Sequence, residues 1–153
     1  KIKSFVLGGH GDSMVAMLGS TEVDGKKIND LLKEGRISKE KLDQIIDRTK
    51  KGGAEIVKFL EKGSAFYAPA ASGVEMAECY LKNLKKQLPC AVYLNGEYGA
   101  KDIYAGVPVI IGSGGVEKII ELQLSEEEKA NFENSVKAVN ELFSAAKKID
   151  PSL

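Results

Sequence analysis

His10 is the only histidine in the chain, and it stands in Gly8-Gly9-His10-Gly11-Asp12, directly after the apolar run Ser4-Phe5-Val6-Leu7. Imidazole is the one side chain whose ordinary pKa, about 6.5, lets it give and take a proton near neutral pH. Flanking glycines remove neighbouring bulk and permit positive φ, so a substrate and a cofactor can approach the ring closely. General acid–base work by such a group is worth roughly 10²–10⁴ in rate. A lone histidine is commonly just a packed or solvated residue, but a glycine-rich turn at the end of a strand-like run speaks for chemistry. Asp12 is the nearest carboxylate, although residues two apart in such a turn need not face one another.

The other candidate chemistries fall away. His10 and Asp12 have no second histidine and no patterned cysteines beside them, so no metal site is expected. Cys79 and Cys90 are too few and too unpatterned for a disulfide framework or a zinc site. They read as buried reduced thiols of a cytoplasmic protein. Val109-Ile110-Ile111 followed by Gly112-Ser113-Gly114 imitates a dinucleotide-binding turn, which requires a third glycine at position 117 and a helix there. Position 117 is Glu117 and the residues after it alternate like a strand, so a hairpin is expected. No Walker-type phosphate loop occurs in the sequence.

The 22 basic and 22 acidic side chains cancel, which leaves no electrostatic footprint for nucleic acid. The lysine and glutamate rows on the helices read as solvated faces. No apolar stretch approaches the ~20 residues of a membrane span. The opening Lys1-Ile2-Lys3-Ser4 lacks the apolar core of a signal peptide. Without an initiator methionine, and starting on a strand edge, it is expected to be cut from something longer.

With 153 residues, 43% of them apolar and 29% charged, the chain suits one globular domain. Residues 2–7 read as a strand leading into the histidine turn. Residues 13–23 read as a second extended stretch, closed by the turn pair Asp24-Gly25. A short helix over 28–33 is stopped by Gly35. Ser38 caps a long helix whose inner face carries Leu42, Ile45, Ile46, Thr49, Ile56, Val57 and Leu60. Gly52-Gly53 interrupts that helix at a cost of roughly 2 kcal/mol relative to alanine, which predicts a kink or close packing.

The small-residue stretch 63–72 enters a helix with Pro69 in its first turn. The inner face expected for this helix carries Val74, Ala77, Leu81 and Leu84. The missing bulk over 68–73 predicts close approach of another backbone or of a ligand. Strands are expected over 90–95, closed by the hairpin pair Asn95-Gly96, and over 103–111, where Pro108 predicts an edge or a bulge. A further strand is expected over 118–124. Ser125-Glu126-Glu127-Glu128 has the form of a capping box. It opens a last amphipathic helix with Phe132, Val136, Val139, Phe143 and Ala146 on one face, followed by Pro151. Antiparallel-type strands grouped apart from long helices indicate an α+β domain.

Phe5-Val6-Leu7-Gly8-Gly9-His10-Gly11-Asp12-Ser13-Met14-Val15 closely resembles the histidine segment of NAD-dependent malate dehydrogenases of the lactate-dehydrogenase-like, mainly bacterial type. The likeness continues through Leu42-Asp43-Gln44-Ile45-Ile46, Gly52-Gly53-Ala54-Glu55-Ile56-Val57 and Gly63-Ser64-Ala65-Phe66-Tyr67-Ala68-Pro69-Ala70-Ala71-Ser72. It resumes at Leu88-Pro89-Cys90 and at Gly106-Val107-Pro108-Val109-Ile110-Ile111-Gly112. It covers essentially the whole chain but corresponds only to the C-terminal, substrate-side half of those enzymes.

The resemblance implies a single C-terminal substrate domain over residues 1–153, with the N-terminal NAD-binding Rossmann domain absent. It also implies that His10 exchanges the hydroxyl proton of malate while NAD carries the hydride, in a reaction of the tricarboxylic acid cycle. By the same likeness, Ala65 and Pro69 belong to the pocket wall beside nicotinamide and substrate. Lactate-specific relatives tend to have threonine near Ala65 and to lack Ala68-Pro69, which points to malate or oxaloacetate as the dicarboxylic substrate. The aspartate that orients the histidine and the arginine that clamps the substrate lie upstream in the family; Arg36 and Arg48 match neither. The isolated chain is therefore expected to be nearly inactive. The family's dimers and tetramers imply a homo-oligomer. A C-terminal domain of a lactate or other 2-hydroxy-acid dehydrogenase, and a stand-alone oligomerisation module, remain the alternatives.

Overall fold

The computed structural model describes residues 1–152. The first part of the chain is built of short strands: β1 (Ile2–Lys3), β2 (Val6–Leu7), β3 (Val15–Ala16), β4 (Glu22–Val23) and β5 (Lys26–Lys27). β2 and β3 pair antiparallel, and β1, β4 and β5 form a small antiparallel sheet. Asp24 and Gly25 turn β4 into β5 with φ of 49° and 80°, as a tight hairpin requires. The extended stretch expected over 13–23 is broken by 3₁₀ turns at Gly11–Ser13 and Leu18–Ser20. Between them Met17 points fully into the core, with 0% exposure, and its N–H bonds to the Phe5 carbonyl at 3.0 Å. Burial of that side chain and the turns on either side replace a continuous ladder.

The helices begin with α1 (Ile28–Lys33), ended near Gly35 as expected. α2 (Lys39–Lys50) starts at Ser38, whose Oγ accepts the Lys41 N–H at 3.1 Å. It stops at Lys51 (φ −92°, ψ 1°), and α3 (Gly52–Leu60) starts immediately after. The glycine pair thus marks a break between helices. Among the described residues nothing lies within 4 Å of where a Cβ at either glycine would stand, so close packing is not the reason for them. The bidentate Arg48–Glu55 pair, at 2.9 and 3.0 Å, splints the bend.

Only part of the expected inner face is covered. Leu42 is buried and Ile46 half-buried, whereas Ile45, Ile56, Val57 and Leu60 are exposed. α4 (Tyr67–Leu81) has Pro69 in its first turn. Its expected inner face is corrected: Val74 and Leu81 are 69% and 78% exposed, Ala77 and Leu84 are also exposed, and Cys79 is the buried residue. The helical period holds but the contact face is rotated, because this chain meets α4 along Met76, Cys79 and the strand carrying Cys90.

The main sheet consists of β6 (Lys86–Asn95), β7 (Lys101–Gly112) and β8 (Gly115–Ile119), antiparallel and in that order. A short 3₁₀ turn at Glu97–Gly99 lengthens the β6–β7 connection beyond the expected Asn95-Gly96 pair. The glycine cluster after Ile111 does form a hairpin, with Gly112 paired to Gly115 and Glu117 on β8. Pro108 lies in the central strand, correcting the edge or bulge expected there; the irregularities fall at Leu94/Asn95 and Ile110/Ile111. It faces Pro89 on β6, and on its other side its carbonyl accepts from Ile120, just beyond β8. A residue without an N–H is tolerated where one ladder needs none and the other has ended.

The strand expected over 118–124 ends at Ile119 for a related reason. The Tyr98 hydroxyl donates to the Ile120 carbonyl at 2.6 Å and accepts the Leu122 N–H at 2.9 Å. One side chain stands in for a neighbouring strand. α5 (Glu126–Ile149) then starts with the expected capping box, Ser125 and Glu128 each satisfying the other's backbone N–H. The core joins β2, β3, the inner face of the main sheet and α5 through Leu7, Met17, Leu94, Val107, Val109 and Phe132. The antiparallel pairings and segregated helices make this an α+β domain, as the sequence indicates.

Candidate active site

His10 follows the short strand β2 after Gly8-Gly9 and caps the 3₁₀ turn Gly11–Ser13 with extended backbone (φ −88°, ψ 150°). Its side chain is exposed. Among the described residues the imidazole makes no hydrogen bond; the residue's own carbonyl accepts weakly from Ser13 Oγ at 3.4 Å. The ring borders an open cleft of about 430 Å³ between the histidine turn and the main sheet, with Met14, Cys90, Tyr104 and Val139 among its walls.

Three backbone anchors hold this turn. Gly8 and Gly106 exchange N–H···O=C bonds at 2.9 and 2.8 Å, which attaches the turn to the side of β7 that β8 leaves open. The Gly9 N–H donates to Ser135 Oγ at 2.8 Å. Further on, the Gly19 N–H donates to Glu128 Oε1 at 2.9 Å. The glycines are required by this crowding. Gly8 has φ +91°, and a Cβ there would collide with Ser135. A Cβ on Gly9 would stand 2.6 Å from Ser13 Oγ and 3.0 Å from Val139, and one on Gly106 2.9 Å from the Gly8 carbonyl oxygen.

Glu128, Phe132 and Ser135 fall at i, i+4 and i+7 on one stripe of α5, and all three are buried. Burial pushes the Glu128 carboxyl up, but backbone hydrogen bonds from Ser125, Gly19 and Leu18 and the Ser125 hydroxyl outweigh it and hold the group below its ordinary 4.5. Glu128 is readable in the sequence only as a capping residue, and Ser135 not at all. A polar residue on the apolar stripe of a helix is the available signal, visible once the stripe is phased on Phe132 rather than Val136.

Asp12 and His10 are not brought together. Asp12 lies across the 3₁₀ turn, in a separate polar cavity of about 510 Å³ between α2 and α5 that also exposes Lys39, Asp43, Lys50 and Asn131. Ala65 and Pro69 are absent from the wall of the His10 cleft. Ala65 is half-buried just before α4 and Pro69 is exposed in its first turn; further along the helix, nothing among the described residues lies within 4 Å of a Cβ on Gly73. From Phe66 to Ser72 the stretch is exposed in this chain. Cys79 and Cys90 are free thiols. Cys79 is buried; Cys90 is half-buried, and burial pushes its thiol up. Among the described residues no cluster of three or more His, Cys, Asp or Glu side chains is placed to hold a metal. No described helix is long and apolar enough to cross a membrane.

Residues 1–149 match the lactate/malate dehydrogenase α/β C-terminal domain family. A malate dehydrogenase of Pelagibacter ubique is 63% identical over all 153 residues, which make up 48% of that protein. Among solved structures, Cryptosporidium parvum malate dehydrogenase is 41% identical, superposing with a TM-score of 0.91 over 96% of this chain and 47% of its own. The lactate dehydrogenase of Eimeria maxima, solved with NADH and oxamate, is 40% identical with a TM-score of 0.92, covering 98% of this chain and 47% of its own. The chain thus spans about half the length of the relatives it matches. With the family matched along nearly its whole length, and the fold alike in both enzymes, the chain belongs to the lactate/malate dehydrogenase family and carries that family's α/β C-terminal domain.

Proposed function

We propose that residues 1–153 are the proton-transfer side of an NAD-dependent malate dehydrogenase, a single C-terminal domain in which His10 is the catalytic acid–base. Interconverting malate and oxaloacetate requires the C2 hydroxyl to lose a proton in one direction and regain it in the other. The observation that carries the reading is an exposed imidazole at the rim of a cleft, on a backbone fixed on both sides by hydrogen bonds. A group so placed can meet a substrate without being consumed by an internal partner.

NAD supplies the hydride acceptor when the longer enzyme binds it. The glycine stretch after Ile111 turns into β8 instead of a helix, so it does not fit the cofactor's phosphates. The cofactor is accordingly assigned to a further domain of that enzyme, together with the carboxylate that orients His10 and the arginine that clamps the substrate. Ala65 and Pro69 are assigned to the pocket wall on the side that such a domain would cover. The exposed apolar residues of α3 and α4 support assembly with that domain and with other copies in a homo-oligomer. The reading includes a cytoplasmic enzyme of the tricarboxylic acid cycle acting on a small dicarboxylic acid. Malate is favoured over lactate by Ala65 and Ala68-Pro69 and by the 63% identical relative's name.

The test is turnover of NADH with oxaloacetate and with pyruvate, on the longer enzyme, its His10→Asn variant and the isolated chain. Oxaloacetate should be preferred, and His10→Asn should lose about 10²–10⁴-fold in rate. The isolated chain should be nearly silent. Full activity in either the variant or the isolated chain would sink the assignment, and a preference for pyruvate would move it to the lactate branch.

A further inference from the structure

We propose that Ser135 is a positioning residue for His10: through its hydrogen bond to the Gly9 N–H, α5 sets where the imidazole stands. The inference rests on the reading of His10 as the proton carrier. Its ground is the combination of a buried polar group and a backbone that has been cleared to reach it. Ser135 is 2% exposed and sits ten residues into α5, far from any capping position. Its Oγ accepts the N–H of the residue immediately before His10 at 2.8 Å.

The turn is shaped to that contact. A Cβ on Gly8 would collide with both Ser135 Oγ and Ser135 Cβ, and Gly8 holds φ +91°, where L side chains are strained. Side chains at 8 and 9 would therefore push the helix and the histidine turn apart. The second polar anchor of the stripe, Glu128 on the Gly19 N–H, lies two helical turns away at the far end of the same segment. The segment from Gly9 to Gly19 is thus tied to α5 at both ends, with Phe132 filling the space between at 0% exposure. Among the described residues nothing else bonds the backbone of Gly9, and none is a hydrogen-bond partner of the imidazole. Its placement depends on that of its backbone, and a displacement of about 1 Å in a reacting group can cost about 10²-fold in rate.

The experiment uses the longer enzyme that contains this chain, assayed with NADH and oxaloacetate. Ser135→Ala removes the acceptor without adding bulk, and kcat is expected to fall about 10- to 100-fold. The dissociation constant for NADH, read by fluorescence, should stay within about twofold, because the contact touches only the proton carrier. Phe132→Leu disturbs the same stripe without touching the Gly9 bond; its melting temperature should fall while kcat per bound NADH stays near the wild-type value. If Ser135→Ala does not fold, Ser135→Cys fills the same space with a weaker acceptor and should show an intermediate kcat. A kcat for Ser135→Ala or Ser135→Cys within twofold of wild type overturns the inference, as does an equal loss in Phe132→Leu. His10→Asn separates the two levels. If it retains turnover the proton-carrier reading itself fails; if it is inactive while Ser135 variants are normal, only the positioning role fails.

Discussion

Phe132 on α5 and Phe59 on α3 are the same side chain in opposite situations, the first 0% and the second 78% exposed. Around Phe132 the chain completes itself: the main sheet, the β2–β3 hairpin and the buried stripe of α5 enclose one core. Around Phe59 it does not. Ile45, Ile56, Leu60, Phe66, Tyr67, Val74 and Leu81 line α2, α3, the linker and α4 with their side chains in solvent. Single exposed apolar residues are ordinary, but a run of them along consecutive helices is the kind of surface that interaction partners cover. The histidine turn belongs to the finished region and the small-residue stretch to the unfinished one. The two halves of the candidate site are therefore held to very different standards within this chain.

The largest test of this contrast is truncation of the two phenylalanines. Phe132→Ala should lose about 3–5 kcal/mol of stability, the transfer and cavity terms of a fully buried ring. Phe59→Ala should change it by no more than about 0.5 kcal/mol. Urea unfolding of the chain carrying each substitution provides both values. Comparable losses would mean that the helical face is packed in solution.

Glycines give a test in which the sign reverses. Gly106→Ala places a methyl 2.9 Å from the Gly8 carbonyl oxygen, a backbone atom that cannot swing away, and should cost about 1–3 kcal/mol. Gly73→Ala, in the middle of α4 with open space around it, should stabilise the chain by about 0.5–1 kcal/mol through helix propensity. Thermal unfolding of the two variants would show the difference directly; destabilisation by Gly73→Ala would indicate a neighbour that the chain supplies.

The same division explains what could be read from the residues alone. Local signals were legible wherever local chemistry decides: the Ser38 cap, the Ser125–Glu128 box, the Asp24-Gly25 turn and the Gly112–Gly115 hairpin each act within a few residues. So was the histidine turn, because its glycines and its resemblance are both sequential. Periodicity misled on α4, since it shows that a helix has an apolar side but not whether this chain covers it. It also failed at 120–124, where the Tyr98 hydroxyl, more than twenty residues away in sequence, replaces a strand. Glu128 is legible as a cap but not as an anchor, and Ser135 is not legible at all, because their partners, Gly19 and Gly9, are 109 and 126 residues distant.

Acid should weaken the finished region through Glu128. Its carboxyl is held below the ordinary 4.5 in the folded chain, so the folded state binds the proton less readily than the unfolded one. The contribution is complete above about pH 4.5 and is lost as pH falls through the depressed folded value. The urea midpoint of the wild-type chain should therefore drop below that of Glu128→Gln corrected for its neutral-pH difference. Parallel pH profiles for the two proteins isolate the Glu128 titration, because glutamine keeps an oxygen that can accept the Gly19 N–H but carries no charge to lose; identical profiles would remove Glu128 from the acid response.

The smallest change in stability is expected at Leu81, 78% exposed at the end of α4. Leu81→Lys leaves the isolated chain within about 0.5 kcal/mol of wild type, since a solvated side chain is exchanged for another. In the longer enzyme proposed above, if α4 is covered there, the same lysine would enter an apolar surface and be left unpaired, which is strongly destabilising. One substitution then has two values, and their difference measures the cover directly. Melting temperatures of both proteins with and without the change supply it. Equal small shifts in the two would show that α4 stays in solvent even in the assembled protein. In that case Ala65 and Pro69, which precede and open this helix, would lose their place in the pocket wall, while His10, anchored on the other region, would keep its own.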